Sequence, residues 1–269
     1  RPFDEDANGT VFGDAVGAVV LKRLEDASDD NVLAVLKGWG ASNDGNNKAG
    51  FAAPSSYGQS LAIEDAMCMA NMTSPPGYIE CHATATHIGD GIEMEGLKQA
   101  YERLHNDGVS LEEKIALGSI KGNIGHANAA AGITGFIKAI LMLQHKMLVP
   151  TANLKQVSHK ISLEDSPFFV YQEPHAAEWK SSRERMAGVS SFGIGGSNAH
   201  VVLQEAIKPK NKVDDDFVVD DGSALVVLTM SAMTETALAE NIKRLSHHLE
   251  ENDQINMKDV AYTLDVGRE

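Results

Sequence analysis

Short apolar runs alternate with helical stripes along most of this chain, and that alternation limits the folds open to it. Residues 32–39, 78–81, 115–120, 168–171, 185–190 and 199–203 read as buried strands, as does the Val-rich run 15–21. Residues 59–72 read as a helix with Leu61, Ala62, Ala66, Met67 and Ala70 inward. Residues 93–105 read as another, with Leu97, Tyr101 and Leu104 on one face. Residues 133–146 are apolar nearly all round, which predicts a buried helix. The Gly- and Asn-rich stretch 40–58 reads as a loop. Strands alternating with helices predict an α/β fold with a mixed or parallel sheet.

The composition shifts at Lys208. Residues 209–223 are charged, with Asp214, Asp215, Asp216, Asp220 and Asp221, and read as an acidic linker. Residues 224–269 then read as a small α/β subdomain, with a strand at 224–229 and helices at 234–251 and 257–264. The first helix carries Leu238, Ile242, Leu245 and Leu249 on one stripe. Both ends of the chain look cut, since it opens on Arg1 without a Met and stops just after a helix.

A formal charge of −15 argues against nucleic acid and anionic membrane as partners. An acidic partner would need a local basic patch, for which Lys138, Lys146, Lys155, Lys160 and Lys180 are candidates; each taken singly fits a solvated mixed surface better. Cys68 and Cys81 are too few for a disulfide framework and suit a reducing compartment. The longest apolar stretch, 133–149, is interrupted by Lys138, Gln144, His145 and Lys146, which excludes a membrane span there. With no signal peptide at the start, the expectation is a soluble cytoplasmic protein.

Three segments concentrate the chemistry. His82 ends a strand and is followed by small residues alternating with Thr84 and Thr86, which leaves room for a ligand backbone and offers hydroxyls to bind it. His126 closes the Gly-rich turn that starts at Lys121, at the mouth of a helix. Ser190 to Asn198 is a Gly-rich loop whose N–H groups can approach an oxyanion closely. Each signal alone is modest, and a lone strand-end His is more often structural. The Gly-rich loop lacks the Lys-Ser/Thr of a phosphate-binding loop, and the metal-like set His82, His87, Asp90 and Glu93 is interrupted by Thr and Gly.

Together the three segments resemble the β-ketoacyl synthase family, in the order that family has them. Its His-Gly-Thr-Gly-Thr motif corresponds to residues 82–86, with the Gly-Asp-x-Ile-Glu tail at 89–93. Its Lys-x-Asn-x-Gly-His motif is residues 121–126, and its C-terminal Gly-rich loop is residues 191–198. The opening Pro2, Phe3 and Asp4, with Gly9, Gly13 and Gly17, matches the middle of such domains. The tail, above all residues 259–268, is similar to the linker between ketosynthase and acyltransferase in type I polyketide synthases.

The resemblance implies a thiolase-like fold of which residues 1–208 are the C-terminal half. It implies decarboxylative Claisen condensation of an acyl chain with a malonyl-type extender, in polyketide or fatty-acid biosynthesis. Its implied catalytic residues are His82, His126 and Lys121. Thr84, Thr86, Asn123, Phe192, Gly193 and Ile194 would bind substrate, the N–H of Ile194 contributing to an oxyanion hole. No cofactor or metal is implied; the substrate arrives on the phosphopantetheine arm of an acyl carrier protein. The other implied partners are the N-terminal half of the ketosynthase, a downstream acyltransferase domain and a second copy in a homodimer.

The chain departs from the family pattern in several places. The family's cysteine nucleophile falls before Arg1, so the chain alone is expected to be inactive. Cys68 reads as core and Cys81 as a buried, non-catalytic thiol pointing away from His82. Ala83 and Ala85 replace two motif glycines, Gly91 a common Pro, and Ile194 a frequent gating Phe. A non-elongating or decarboxylating relative, or a carrier-protein docking scaffold, is the alternative reading; retention of both histidines favours elongation.

Overall fold

Strand pairing starts with the residues nearest in sequence. β7 (Met186–Phe192) and β8 (Ser197–Glu205) form an antiparallel hairpin, and β8 also pairs antiparallel with β1 (Ala34–Asn43). β2 (Tyr78–Glu80) lies parallel to β7 and to β3 (Ile115–Gly118), and β3 lies parallel to β5 (Phe168–Val170). The six-stranded mixed sheet has the order β1-β8-β7-β2-β3-β5. A separate pair joins β4 (Met147–Leu148) to β6 (Ala177–Glu178). The structure, a computed structural model, describes residues 1–28, 30–206, 226–252 and 255–267.

Helices cover both faces of the sheet. α1 (Ser56–Met69) and α2 (Gly89–Asn106) pack together on one face, where Ile63, Met67, Met94, Leu97 and Tyr101 meet Ile79, Leu117, Phe168 and Val202. α4 (Ala131–His145) covers the other, with Ala139, Met142 and Leu143 against Tyr78, Ala187, Val189 and Leu203. Tyr78 and Ile79 therefore go to opposite cores, as the two-residue period of a strand requires. The four-residue helix α3 (Lys121–Ile124) follows β3 and leads towards α4.

Several elements differ from the sequence expectation. Residues 15–21 form no strand, and Val16 and Val20 are 99% and 97% exposed. No described strand lies beside that run. Gly17 sits instead against α4, where a Cβ would come within 2.9 Å of Ile133 Cγ2. β1 includes Gly38 and runs four residues past Trp39, through Gly40, to Asn43. Those glycines are contact points: a Cβ at Gly40 would lie 2.1 Å from the Ala62 carbonyl oxygen on α1. α4 buries one stripe (Ala131, Gly135, Ala139, Met142 and Leu143) and leaves Leu141 exposed, so it is not buried all round. Cys68 is exposed on the outer side of α1 rather than in the core.

The chain divides into two compact units, residues 1–208 and 209–269. The described part of the second holds α5 (Glu235–Glu251) and α6 (Met257–Val266), each with a side-chain cap, from Thr234 and Asn256. The expected strand at 224–229 lies partly outside the described residues, and Val226 to Thr229 are not in a strand. The acidic linker at 209–223 lies wholly outside them. The α5 stripe is only half covered: Leu238, Leu245 and Leu249 are half-buried and Ile242 is exposed. No described helix is long and apolar enough to cross a membrane.

Candidate functional site

β2 delivers His82 to the C-terminal edge of the parallel strands, where the backbone leaves the sheet in a tight loop. Ala83 (φ 22°) and Ala85 (φ 59°) both adopt the left-handed conformation that favours glycine. Two buried carboxylates at the start of α2 hold this strained loop. Glu93 Oε1 accepts the N–H of His82 and Oε2 that of Ala83, each at 2.7 Å. Asp90 Oδ1 accepts the N–H of Ala85 at 3.0 Å, and its Oδ2 that of Phe3 at 2.9 Å. Asp90 and Glu93 are thus occupied by backbone donors. Among the described residues no group of three or more His, Cys, Asp or Glu could hold a metal ion. Burial raises the Glu93 pKa to about 7, against the two backbone N–H groups that lower it.

The turn after α3 delivers His126. Gly125, at φ 73°, lets the chain reverse within 2.8 Å (counted from its absent Cβ) of the Val11 carbonyl oxygen. The N–H of His126 donates to that oxygen at 2.7 Å, and its carbonyl accepts from Gly13 at 3.1 Å. The two imidazoles lie edge to face, with ring centroids 5.4 Å apart and planes at 85°.

Their hydrogen bonds fix the tautomers. His82 Nδ1 accepts the N–H of Phe192 at 3.3 Å, and His126 Nδ1 accepts the N–H of Asn128 at 3.2 Å. In a neutral ring with Nδ1 accepting, the proton sits on Nε2. Among the described residues no hydrogen-bond partner meets either Nε2. Both rings are pushed towards the neutral form. Burial, then Lys121, then His126 lower the His82 pKa to about 3. Burial and Lys121 lower that of His126. Lys121 is itself pushed down by burial, opposed by Glu80 and Glu93.

Both histidines line one open cavity of about 1190 Å³. Thr84, Thr86, Phe192, Gly193 and Ile194 line it too, so seven of the residues singled out from the sequence share one space. Thr86 Oγ1 is taken up by the N–H of Gly89 at 3.1 Å, and Thr84 accepts at its carbonyl from Thr10 Oγ1 at 2.8 Å. The Phe192 ring packs beside His82 at 5.7 Å. The Gly-rich loop closes on itself: Gly193 N–H donates to the Ser197 carbonyl at 2.7 Å and Gly196 N–H to that of Gly193 at 2.8 Å. Ile194 at its tip is 71% exposed. Asn123 is exposed on α3, and neither it nor Lys121 lines the cavity. Cys81 is buried in the apolar core with its thiol pKa pushed well up, chiefly by burial.

The sequence reading missed the carboxylate cradle and several wall residues, among them Thr10, Phe12 and Pro54. Glu80 and Glu93 did carry a signal: each is an acidic residue in an otherwise inward-facing position. Lys138, a candidate for a basic surface patch, is instead largely buried and paired with Glu80.

Successive parts of one family model set run along the chain. The β-ketoacyl synthase N-terminal domain model matches residues 1–27, the β-ketoacyl synthase C-terminal domain model residues 33–155, and the ketoacyl-synthetase C-terminal extension model residues 158–268. The chain belongs to the β-ketoacyl synthase family. The chain carries the C-terminal half of its thiolase-like fold. This ketosynthase chain is 42% identical, over 98% of its length, to a phenolphthiocerol/phthiocerol polyketide synthase polypeptide of Mycobacterium tuberculosis, and spans 17% of that protein. It is 34% identical to the polyketide synthase PksN of Bacillus subtilis and spans 5% of it. Two of the solved structures that are similar over the whole chain illustrate the likeness. One is the ketosynthase from module 6 of the bacillaene synthase of Bacillus subtilis 168, at 33% identity and TM-score 0.80, of which the chain covers 45%. The other is the ketosynthase from module 1 of the bacillaene synthase of Bacillus amyloliquefaciens FZB42, at 34% and 0.84, of which it covers 47%.

Proposed function

We propose that this chain is the part of a polyketide-synthase ketosynthase that supplies both imidazoles of a decarboxylative Claisen condensation. One observation carries the reading: His82 and His126 face one cavity as two neutral Nε2–H donors with rings 5.4 Å apart. A malonyl-type thioester breaks its bond to the carboxylate and releases CO₂, leaving the electron pair as an enolate. Two donors aimed at the developing enolate oxygen stabilise that charge without any proton having to leave. The enolate carbon then attacks an acyl thioester held on a cysteine, a C–C bond forms, and the thiolate leaves. Neither Cys68 nor Cys81 meets that role, one standing on the outside of α1 and the other sealed in the core.

In this reading the extender arrives on the phosphopantetheine arm of an acyl carrier protein. Thr84 and Thr86 line its path, and burial, with Lys121 adding to it, keeps both imidazoles uncharged. The N-terminal half of the ketosynthase, a downstream acyltransferase domain and a second copy of the protein complete the assembly, in the cytoplasm. The test is malonyl-thioester decarboxylation by a ketosynthase that contains this chain and its cysteine. His82→Ala and His126→Ala should each lose about 10²-fold or more in rate while acyl transfer to the cysteine continues. Decarboxylation at the unmodified rate in both variants would overturn the proposal.

A further inference from the structure

A buried charged cluster lies behind the cavity wall. Lys138 Nζ on α4 is 2.7 Å from Glu80 Oε2, with the two side chains 11% and 2% exposed. The Tyr78 hydroxyl donates to the same oxygen at 2.5 Å, and Lys138 Nζ donates to the Tyr78 oxygen at 2.9 Å. Gly135, one turn from Lys138, makes the room: a Cβ there would come within 2.9 Å of Glu80 Cγ. Burying two charges costs several kcal/mol per ion, so such a pair is weak evidence for stability. A geometric role explains it better.

The other oxygen supplies that role. Glu80 Oε1 accepts the N–H of Ile120 at 2.6 Å, and Ile120 is the N-cap residue immediately before α3. α3 leads into the turn that presents His126, and α4 begins just beyond it. Glu80 also stands two residues before His82, at the end of β2. A single carboxylate therefore ties the strand that delivers one imidazole to the helix start that delivers the other, and to the helix behind both.

We propose that Glu80, clamped by Lys138 and Tyr78, is a positioning residue that sets the spacing of His82 and His126. The geometric part stands by itself; its kinetic consequence rests on the condensation reading. In the chain labelled at histidine, rings 5.4 Å apart should give a ring-proton nuclear Overhauser effect between His82 and His126. Glu80→Gln cannot hold the ammonium and the Ile120 N–H as a carboxylate does, so this effect should fall several-fold, while amide signals from α1 and β1 stay in place. The double variant Glu80→Gln/Lys138→Met leaves no lone buried charge and should show the same loss even where the single variant folds poorly. Lys138→Arg, which keeps the pair, should retain the effect. In a ketosynthase containing this chain, Glu80→Gln should lower the decarboxylation kcat by about 10²-fold with KM and acyl loading within about twofold. An undiminished Overhauser effect in both the Glu80→Gln and double variants, or equal losses in decarboxylation and loading, would overturn the proposal. If instead the unmodified protein decarboxylates nothing while the effect still falls in the variants, the condensation reading fails and the positioning role survives.

Discussion

The N–H of His82 and the N–H of Ala83 are shared out between the two oxygens of Glu93, at 2.7 Å each. A carboxylate can accept at both oxygens, whereas an amide accepts at one. Glu93→Gln should therefore leave one buried N–H facing an NH₂ group, at a cost of about 1–3 kcal/mol. Urea unfolding at pH 8, above the Glu93 pKa of about 7, measures it, and a loss under about 0.5 kcal/mol would show that the cradle is not what holds the loop.

Lys121 acts on both imidazoles through its charge. Lys121→Met should raise the pKa of His126, since that ammonium is, with burial, what lowers it. The Hε1 and Cε1 shifts of His126, followed by NMR from pH 4 to 8, report the change. An unmoved midpoint would mean that burial alone keeps the ring neutral.

His200 on β8 is fully buried, its Nδ1 2.9 Å from Ser190 Oγ on β7 and its Nε2 without a hydrogen-bond partner among the described residues. Burial lowers its pKa from 6.5 to about 3. The unfolded chain thus binds the proton more readily between those values, so stability is full above pH 6.5 and declines as pH falls towards 3. His200→Gln should flatten this acid limb when urea midpoints at pH 7 and 4.5 are compared. Some slope should remain from His82, which is shifted in the same direction. An unchanged pH dependence would exclude His200 as its source.

Gly40 offers a test of close packing without a change of charge. A Cβ there would lie 2.1 Å from the Ala62 carbonyl oxygen and 2.8 Å from the Ala66 nitrogen, both backbone atoms of α1. Gly40→Ala should cost about 1–3 kcal/mol, read as a lower denaturant midpoint at unchanged slope. Gly50→Ala, where nothing lies within 4 Å, is the control and should change stability by less than about 0.5 kcal/mol.

Local signals made β2, β3, β7, β8 and the inner faces of α1 and α2 legible, because each buries a periodic apolar set against its own neighbours. The two histidines stood out through the family resemblance of the three segments taken together, since each local signal alone is modest. What failed were features set by distant partners. The run 15–21 has the composition of a strand but no strand beside it among the described residues. Gly40 looks like a terminator, yet it and Gly38 are where β1 meets α1, a contact invisible until both elements are placed. Lys138 reads as surface charge because its partner, Glu80, lies 58 residues away. The holding role of Asp90 and Glu93 went unread because the backbone N–H groups that occupy them leave no trace in the sequence.

The left-handed alanines bound what this loop can become. Ala83 and Ala85 combine a positive φ with side chains that are almost wholly buried. A larger residue at either position meets a conformational penalty and a volume penalty together, and Glu93 and Asp90 leave the backbone no freedom to relax. Saturating both codons at once should therefore yield a folded set that collapses to combinations of Gly and Ala, with the motif's alternation of small residues and threonines as its one surviving grammar.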